Sequence, residues 1–241
     1  MSNSRIGDGI ARLLFEAGAV HVSRTQPFTL AAGWASPVYV DCRMLIGAPR
    51  VRQAVTALAA EYLAAAFPAG SLDAIAGAET AGIPFAAWLA EQSGLQLRYV
   101  RKRPLGIGRN AQVEGGTVEG LRVLLMDDLT TDGGSKLAFA RGLRSAGATV
   151  AHVLSIFYHD AFPGAHERLR AAGLTLHALA TWEHVLRAAT ADLLAPDDRA
   201  TIERFLDDPV GWSTRHGGRA TPTFPPLSAA HRRLRRLQSG E

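Results

Sequence analysis

The segment from Val123 to Ser135, Val-Leu-Leu-Met-Asp-Asp-Leu-Thr-Thr-Asp-Gly-Gly-Ser, constrains this chain more than any other stretch. Its four leading apolar residues read as a strand, Val123–Met126, buried on both faces, a pattern found in parallel sheets covered by helices. Two acids close that strand, and a Thr/Gly/Ser loop leads into a helical pattern over Ser135–Ala146. In open α/β sheets this strand-to-helix corner is where ligands bind. Glycines let the backbone approach an anion, the loop and helix N-terminus offer N–H groups and a favourable dipole, and hydroxyls add donors. Thr130, Thr131, Asp132, Gly133, Gly134 and Ser135 are therefore read as a phosphate cradle. The Asp127 and Asp128 carboxylates would repel a phosphate. They suit sugar hydroxyls, a hard cation such as Mg²⁺ held directly or through water, or a developing positive charge. A plain helix cap needs fewer of these features. The segment has neither the Gly-Lys-Ser/Thr of a Walker loop nor the three spaced glycines of a dinucleotide site.

The rest of the sequence supplies the expected partners of such a strand. Ile6, Ile10, Leu13 and Leu14 carry a helical period that Gly18 stops, and Pro27–Arg43 reads as strand, turn and strand around Gly33 and Pro37. Helices are predicted over Pro49–Phe67 and Gly82–Ser93, and strands over Asp73–Gly77, Leu97–Val100 and Thr149–Tyr158. Further helical segments follow at His166–Ala172, Trp182–Thr190 and Asp197–Leu206. Alternating strands and helices joined by short connections imply an α/β fold with a mostly parallel central sheet flanked by helices, preceded by a small β element.

At 241 residues the chain can bury a core without disulfide or metal staples. The lone Cys42 excludes an internal disulfide and a cysteine-rich zinc site, and fits a reducing cytoplasm. No apolar run approaches the roughly 18 residues of a membrane span, and the N-terminus lacks a signal-like pattern, so a cytoplasmic protein without a membrane partner is expected. The pI near 9.7 is misleading as a guide to partners. Six arginines stand against one acid, Glu241, from Arg215 onward, and the preceding residues nearly balance. Residues 215–241 read as a basic, disordered tail beyond a domain spanning 1–214; contact with RNA or an acidic partner is the alternative, and no nucleic-acid partner is expected. The eight histidines show no ligand-like spacing, and His159 beside Asp160 reads as a surface pair. Trp34, Trp88, Trp182 and Trp212 read as packing residues, Trp34 alone being placed to approach a base.

The strand-Asp-Asp-loop pattern resembles the 5-phosphoribosyl-1-diphosphate (PRPP) signature of type I phosphoribosyltransferases. Three further segments narrow the resemblance to the orotate phosphoribosyltransferases: Pro27–Arg43 is similar to the family's hood, Ala74–Glu91 to its pyrophosphate turn and following helix, and Tyr99–Gly116 to its strand and catalytic loop. The resemblance implies a type I phosphoribosyltransferase-like fold with a hood over about 1–45, Mg²⁺ bound mainly through PRPP and water, a homodimer, and conversion of orotate and PRPP into orotidine 5′-monophosphate and pyrophosphate. It implies that Asp127 and Asp128 hold the ribose hydroxyls and stabilise a cationic ribosyl centre, and that Thr130–Ser135 bind the 5′-phosphate. Glu79, Thr80, Ala81 and Gly82 would receive pyrophosphate, with Arg101 and Lys102 neutralising it.

The chain departs from the family at Ala31, Leu105 and Ile107, where many members carry a hood lysine, a loop lysine and often a histidine, and at Phe157–Asp160, where some carry an orotate-binding arginine. Arg103 or Arg109 is expected to replace the loop lysine. A phosphoribosyltransferase for another base and a non-catalytic PRPP-binding regulator are the alternative readings.

Overall fold

In the computed structural model, which describes residues 2–30, 32–104 and 111–221, the chain opens with α1 (Ser2–Glu16). Its buried stripe of Ile6, Ile10 and Leu14 faces the body. The hood follows as β1 (Val20–Val22), β2 (Phe28–Thr29), β3 (Ala35–Ser36) and β4 (Val38–Val40). The sequence reads as one hairpin here, but two short ladders form: β2 pairs with β3, while β4 returns to β1 in the register Val20↔Val40. Pro37 sits at the switch, where its missing N–H cannot continue a ladder. Then come α2 (Met44–Gly47) and α3 (Pro49–Ala66), the latter started by a proline in its first turn.

The central sheet is built from β5 (Ala74–Ala78), β6 (Gln96–Val100), β7 (Val113–Glu114), β8 (Arg122–Thr130), β9 (Thr149–Tyr158) and β10 (Thr175–Thr181). Their spatial order is β10-β9-β8-β5-β6-β7, and every pair is parallel except β6 with the edge strand β7. α4 (Gly82–Ser93), α5 (Gly134–Ser145), α6 (Ala165–Ala171), α7 (Trp182–Ala188), α8 (Pro196–Asp207) and α9 (Pro209–Arg215) complete the fold. Strand alternation sorts side chains into two cores. Leu124, Met126, Leu154 and Ile156 pack on the layer containing α1, α3 and α4, whereas Val123, Leu125 and Val153 pack with Phe139, Leu143 and Leu169 of α5 and α6.

β1 and β7 are not expected from the sequence, and two longer strands also differ from expectation. β8 extends past Met126 to Thr130, because the ladder continues as Asp127↔Ser155, Leu129↔Phe157 and Thr130↔Tyr158. The acids therefore lie within a paired strand, rigidly placed. β10 has no counterpart in the sequence reading: Thr-Leu-His-Ala-Leu-Ala-Thr has neither strict alternation nor a continuous apolar run, and pairing with β9 imposes its conformation. At the other end the body continues past 214, since the Arg219 N–H donates to the Gly33 carbonyl at 2.9 Å. Ala31, Leu105, Ile107, Arg109 and residues 222–241 lie outside the described residues.

Candidate active site

The C-terminal end of β8, the loop before α5, the turn before α4 and the hood enclose an open cavity of about 510 Å³. Thr29, Leu30 and Tyr39 line it from the hood, Glu79, Thr80, Ala81 and Lys102 from the α4 side, and Asp127, Asp128, Thr131, Ser135 and Lys136 from the floor. The sequence-predicted acids, Thr131 and Ser135 of the cradle, and Glu79, Thr80 and Ala81 of the diphosphate turn thus meet around one space. A second cavity of about 530 Å³ shares Leu129, Thr131, Ser135 and Lys136 with the first and continues along Asp132, Gly133 and Gly134.

Lys136 is one of the residues the sequence reading missed. It is 3% exposed, its Nζ lies 2.7 Å from Asp127 Oδ2, and it donates to the Leu129 carbonyl and to Ser135 Oγ. The available signal was its place in the first turn of α5, where the helix dipole disfavours a cation. A lysine there needs an anionic partner, and Asp127 is that partner. The other oxygen of Asp127 accepts the Asp128 N–H at 2.9 Å. Burial, then the adjacent Asp127 charge, push the Asp128 carboxyl up to about 7, with Lys136 opposing.

The cradle divides on inspection. Thr131, Gly133, Gly134 and Ser135 border the cavities, whereas Thr130 is fully buried with its hydroxyl 2.7 Å from Ser155 Oγ, so the expected Thr130 phosphate contact is replaced by a bond inside the sheet. Asp132 turns Oδ1 back onto the Gly134 N–H at 3.1 Å, shaping the loop, and Arg168 donates to its carbonyl at 2.7 Å.

On the opposite wall Glu79 and Thr80 are joined by a cis peptide, and the Lys102 N–H donates to Glu79 Oε2 at 2.8 Å. Gly82 opens α4 against β8: a Cβ there would stand 2.5 Å from the Met126 carbonyl oxygen, so only glycine lets this turn abut the acids. Lys102 borders the cavity. Arg101 is held elsewhere, its guanidinium within ion-pair range of Glu79 and Glu114 at 3.9 and 3.4 Å and bonded to the Tyr99 hydroxyl, so it braces the turn rather than lining the space. Arg103 is exposed beside it.

His159 corrects the surface reading: it is fully buried while Asp160 alone is exposed. Trp182 Nε1 donates to His159 Nδ1 at 3.1 Å, which fixes the proton on Nε2. Burial lowers this imidazole to about 4, so it stays neutral. The ring lines the cavity, and Nε2 is a buried donor without a hydrogen-bond partner among the described residues. Trp34 is 1% exposed and stacks on Phe162 at 4.3 Å, a packing role that removes it from contact with a base.

A sheet-end acid pair, a glycine-rich loop opening α5 and a facing turn bordered by Lys102 are an arrangement chemically suited to a phosphorylated sugar with a second anionic group. Residues 45–176 match the family described as Phosphoribosyl transferase domain, the class to which this fold and cradle belong. An orotate phosphoribosyltransferase of Sinorhizobium medicae is 48% identical over 211 residues, covering 87% of this chain and 90% of that one. The structure of an orotate phosphoribosyltransferase from Aeropyrum pernix superposes with a TM-score of 0.63 at 32% identity, over 74% of this chain and 97% of that one. A UMP synthase from Leishmania donovani gives a TM-score of 0.71 at 26% identity over 83% of this chain, which spans 42% of that longer protein. The chain belongs to the orotate phosphoribosyltransferase family.

Proposed function

We propose that the chain transfers the 5-phosphoribosyl group of PRPP to orotate, giving orotidine 5′-monophosphate and pyrophosphate, a step in making pyrimidine nucleotides. The observation that carries this reading is the single cavity in which Asp127 and Asp128 face both the loop at the start of α5 and the Glu79–Gly82 turn. Loop residues Thr131–Ser135 receive the 5′-phosphate through backbone N–H groups and hydroxyls. The diphosphate lies toward Thr80, Ala81 and Lys102, with Arg103 and Arg109 supplying further positive charge. Its departure leaves an oxocarbenium-like ribose. Asp127 and Asp128 bind the ribose hydroxyls and stabilise that cation, Lys136 fixing the orientation of Asp127 throughout. Orotate enters between the hood and His159, whose neutral Nε2–H donates to an oxygen of the base.

Mg²⁺ fits this site as an ion carried by the substrate. No cluster of three or more ligating side chains exists among the described residues, and one acid is already paired with Lys136. Asp128 is the carboxylate that would meet the ion, through water, and bound Mg²⁺ would neutralise the leaving diphosphate. Kinship supports a homodimeric, cytoplasmic enzyme, and no described helix is long and apolar enough to cross a membrane.

The test is orotate consumption by purified protein with PRPP and Mg²⁺, run beside an Asp127→Asn, Asp128→Asn double variant and a panel of other bases. Turnover of orotate that the double variant loses is expected. Turnover of another base in preference to orotate, or none with any base, would overturn the reading.

A further inference from the structure

We infer that Arg219, which lies outside the matched family domain, is a ligand of the substrate 5′-phosphate, delivered to the site by a C-terminal strap fastened to the hood. The inference deepens the proposed function, on which its choice of ligand rests. Its first support is the fastening. Ser213 is fully buried; its hydroxyl accepts the Ala35 N–H at 3.0 Å and donates to the Arg219 carbonyl at 2.8 Å. The Gly218 N–H donates to the Ser213 carbonyl at 2.8 Å and the Arg219 N–H to the Gly33 carbonyl at 2.9 Å. A Cβ on Gly218 would stand 2.3 Å from the Ala35 nitrogen, so the strap can lie this close to β3 only because that residue is glycine.

The second support is where the guanidinium goes. Its Nη1 donates to the Ala32 carbonyl at 2.6 Å, and the side chain lines the cavity walled by Gly33, Thr131, Gly133, Ser135 and Lys136. An arginine pinned by backbone and side chain at the mouth of an anion-binding loop is placed, not merely exposed. Guanidinium carries five N–H donors in a planar fork, a geometry able to hold the hood carbonyl and to meet phosphate oxygens. The loop supplies neutral donors and Lys136 is committed to Asp127, whereas a phosphate monoester at neutral pH bears nearly two negative charges. Arg219 lines the same cavity as this loop and adds positive charge there, in a wall that also includes Asp132. Bonded to the hood and lining the cavity of the loop, it also couples phosphate binding to hood position.

The experiment uses full-length protein with Arg219→Gln and Arg219→Lys, measuring calorimetric affinity for ribose 5-phosphate, pyrophosphate and orotate, the KM for PRPP, kcat and Tm. Arg219→Gln should weaken ribose 5-phosphate and raise the PRPP KM by about tenfold or more, the loss typical of one charge-assisted hydrogen bond, with pyrophosphate affinity and kcat retained. Arg219→Lys should recover part of the loss. Unchanged ribose 5-phosphate affinity would overturn the inference. So would weakening confined to orotate, which would assign the arginine to a carboxylate, or equal weakening of all three ligands with a lowered Tm, which would make it structural. If Arg219→Gln fails to fold, ribose 5-phosphate affinity of Arg219→Lys equal to wild type decides against the inference and a several-fold loss decides for it. Wild-type protein that binds ribose 5-phosphate through Arg219 but turns over no orotate would sink the reaction and leave this inference standing.

Discussion

Lys136 and Asp128 carry opposite obligations within one small volume. Lys136 holds Asp127 at 2.7 Å with both side chains at most 10% exposed. Removing one partner of such a pair strands a buried charge, so Lys136→Met should cost about 3 kcal/mol of stability and, by releasing Asp127 from its orientation, about 100-fold in kcat. Urea unfolding and steady-state kinetics check this; retained stability would mean that Asp127 finds another partner. Asp128 shows the reverse effect. Its folded-state pKa lies above the unfolded value of 3.8, so the unfolded chain surrenders the proton first and stability drains away as pH rises from about 4 through about 7. Asp128→Asn should therefore be more stable than wild type at pH 8, with the advantage shrinking toward pH 4. Thermal unfolding at the two pH values decides, and a constant difference would contradict the raised pKa. Asp127, Asp128 and the cradle glycines were legible in the sequence because their chemistry is contiguous. His159 and Arg219 were not: one acquires its role from Trp182, and the other from a hood nearly two hundred residues earlier.

At the scale of elements, boundaries followed periodicity wherever burial enforces it. The helix over Gly82–Ser93 and the strand over Thr149–Tyr158 were read from sequence with the bounds they have in the structure, because both end at sharp polarity or glycine signals. β10 and the two hood ladders were hidden, because two- and three-residue strands carry almost no period and an edge strand without clear alternation takes its conformation from its neighbour. The hood is anchored instead by aromatics that no local pattern announces. Trp34 stacks on Phe162, which meets Phe205 of α8 at 5.9 Å, and Phe205 meets Trp212 of α9 at 5.7 Å. Trp34→Ala should open a cavity beneath the hood at a cost of about 3 to 5 kcal/mol. Because Gly33 and Ala35, on either side of Trp34, also hold the Arg219 strap, the KM for PRPP should rise together with that for orotate. A rise confined to orotate would show that the hood does not position the strap.

For the molecule as a whole, what matters is where charge sits relative to the site. The first two hundred or so residues are nearly neutral, and the excess of arginine begins at Arg215. The structure divides that excess: Arg215 pairs with Asp208 at 3.1 Å and Arg219 is built into the hood, while Arg232, Arg233, Arg235 and Arg236 belong to residues 222–241. The basic segment that composition treats as one tail therefore contributes two arginines, Arg215 and Arg219, that are bonded within the described body. A chain ending at Thr221 keeps every residue assigned to the site, so its kcat and its KM for PRPP should equal those of the full chain. A chain ending at Thr214 loses Gly218 and Arg219, and its KM for PRPP should rise about tenfold or more, as expected for a lost charge-assisted contact. Retention on a polyanion column at low salt should follow the other division, falling when residues 222–241 are removed, since that step takes away four arginines and one acid. If both truncations raised the KM alike, phosphate binding would depend on charge beyond Thr221, and the strap would not be the unit that completes the site.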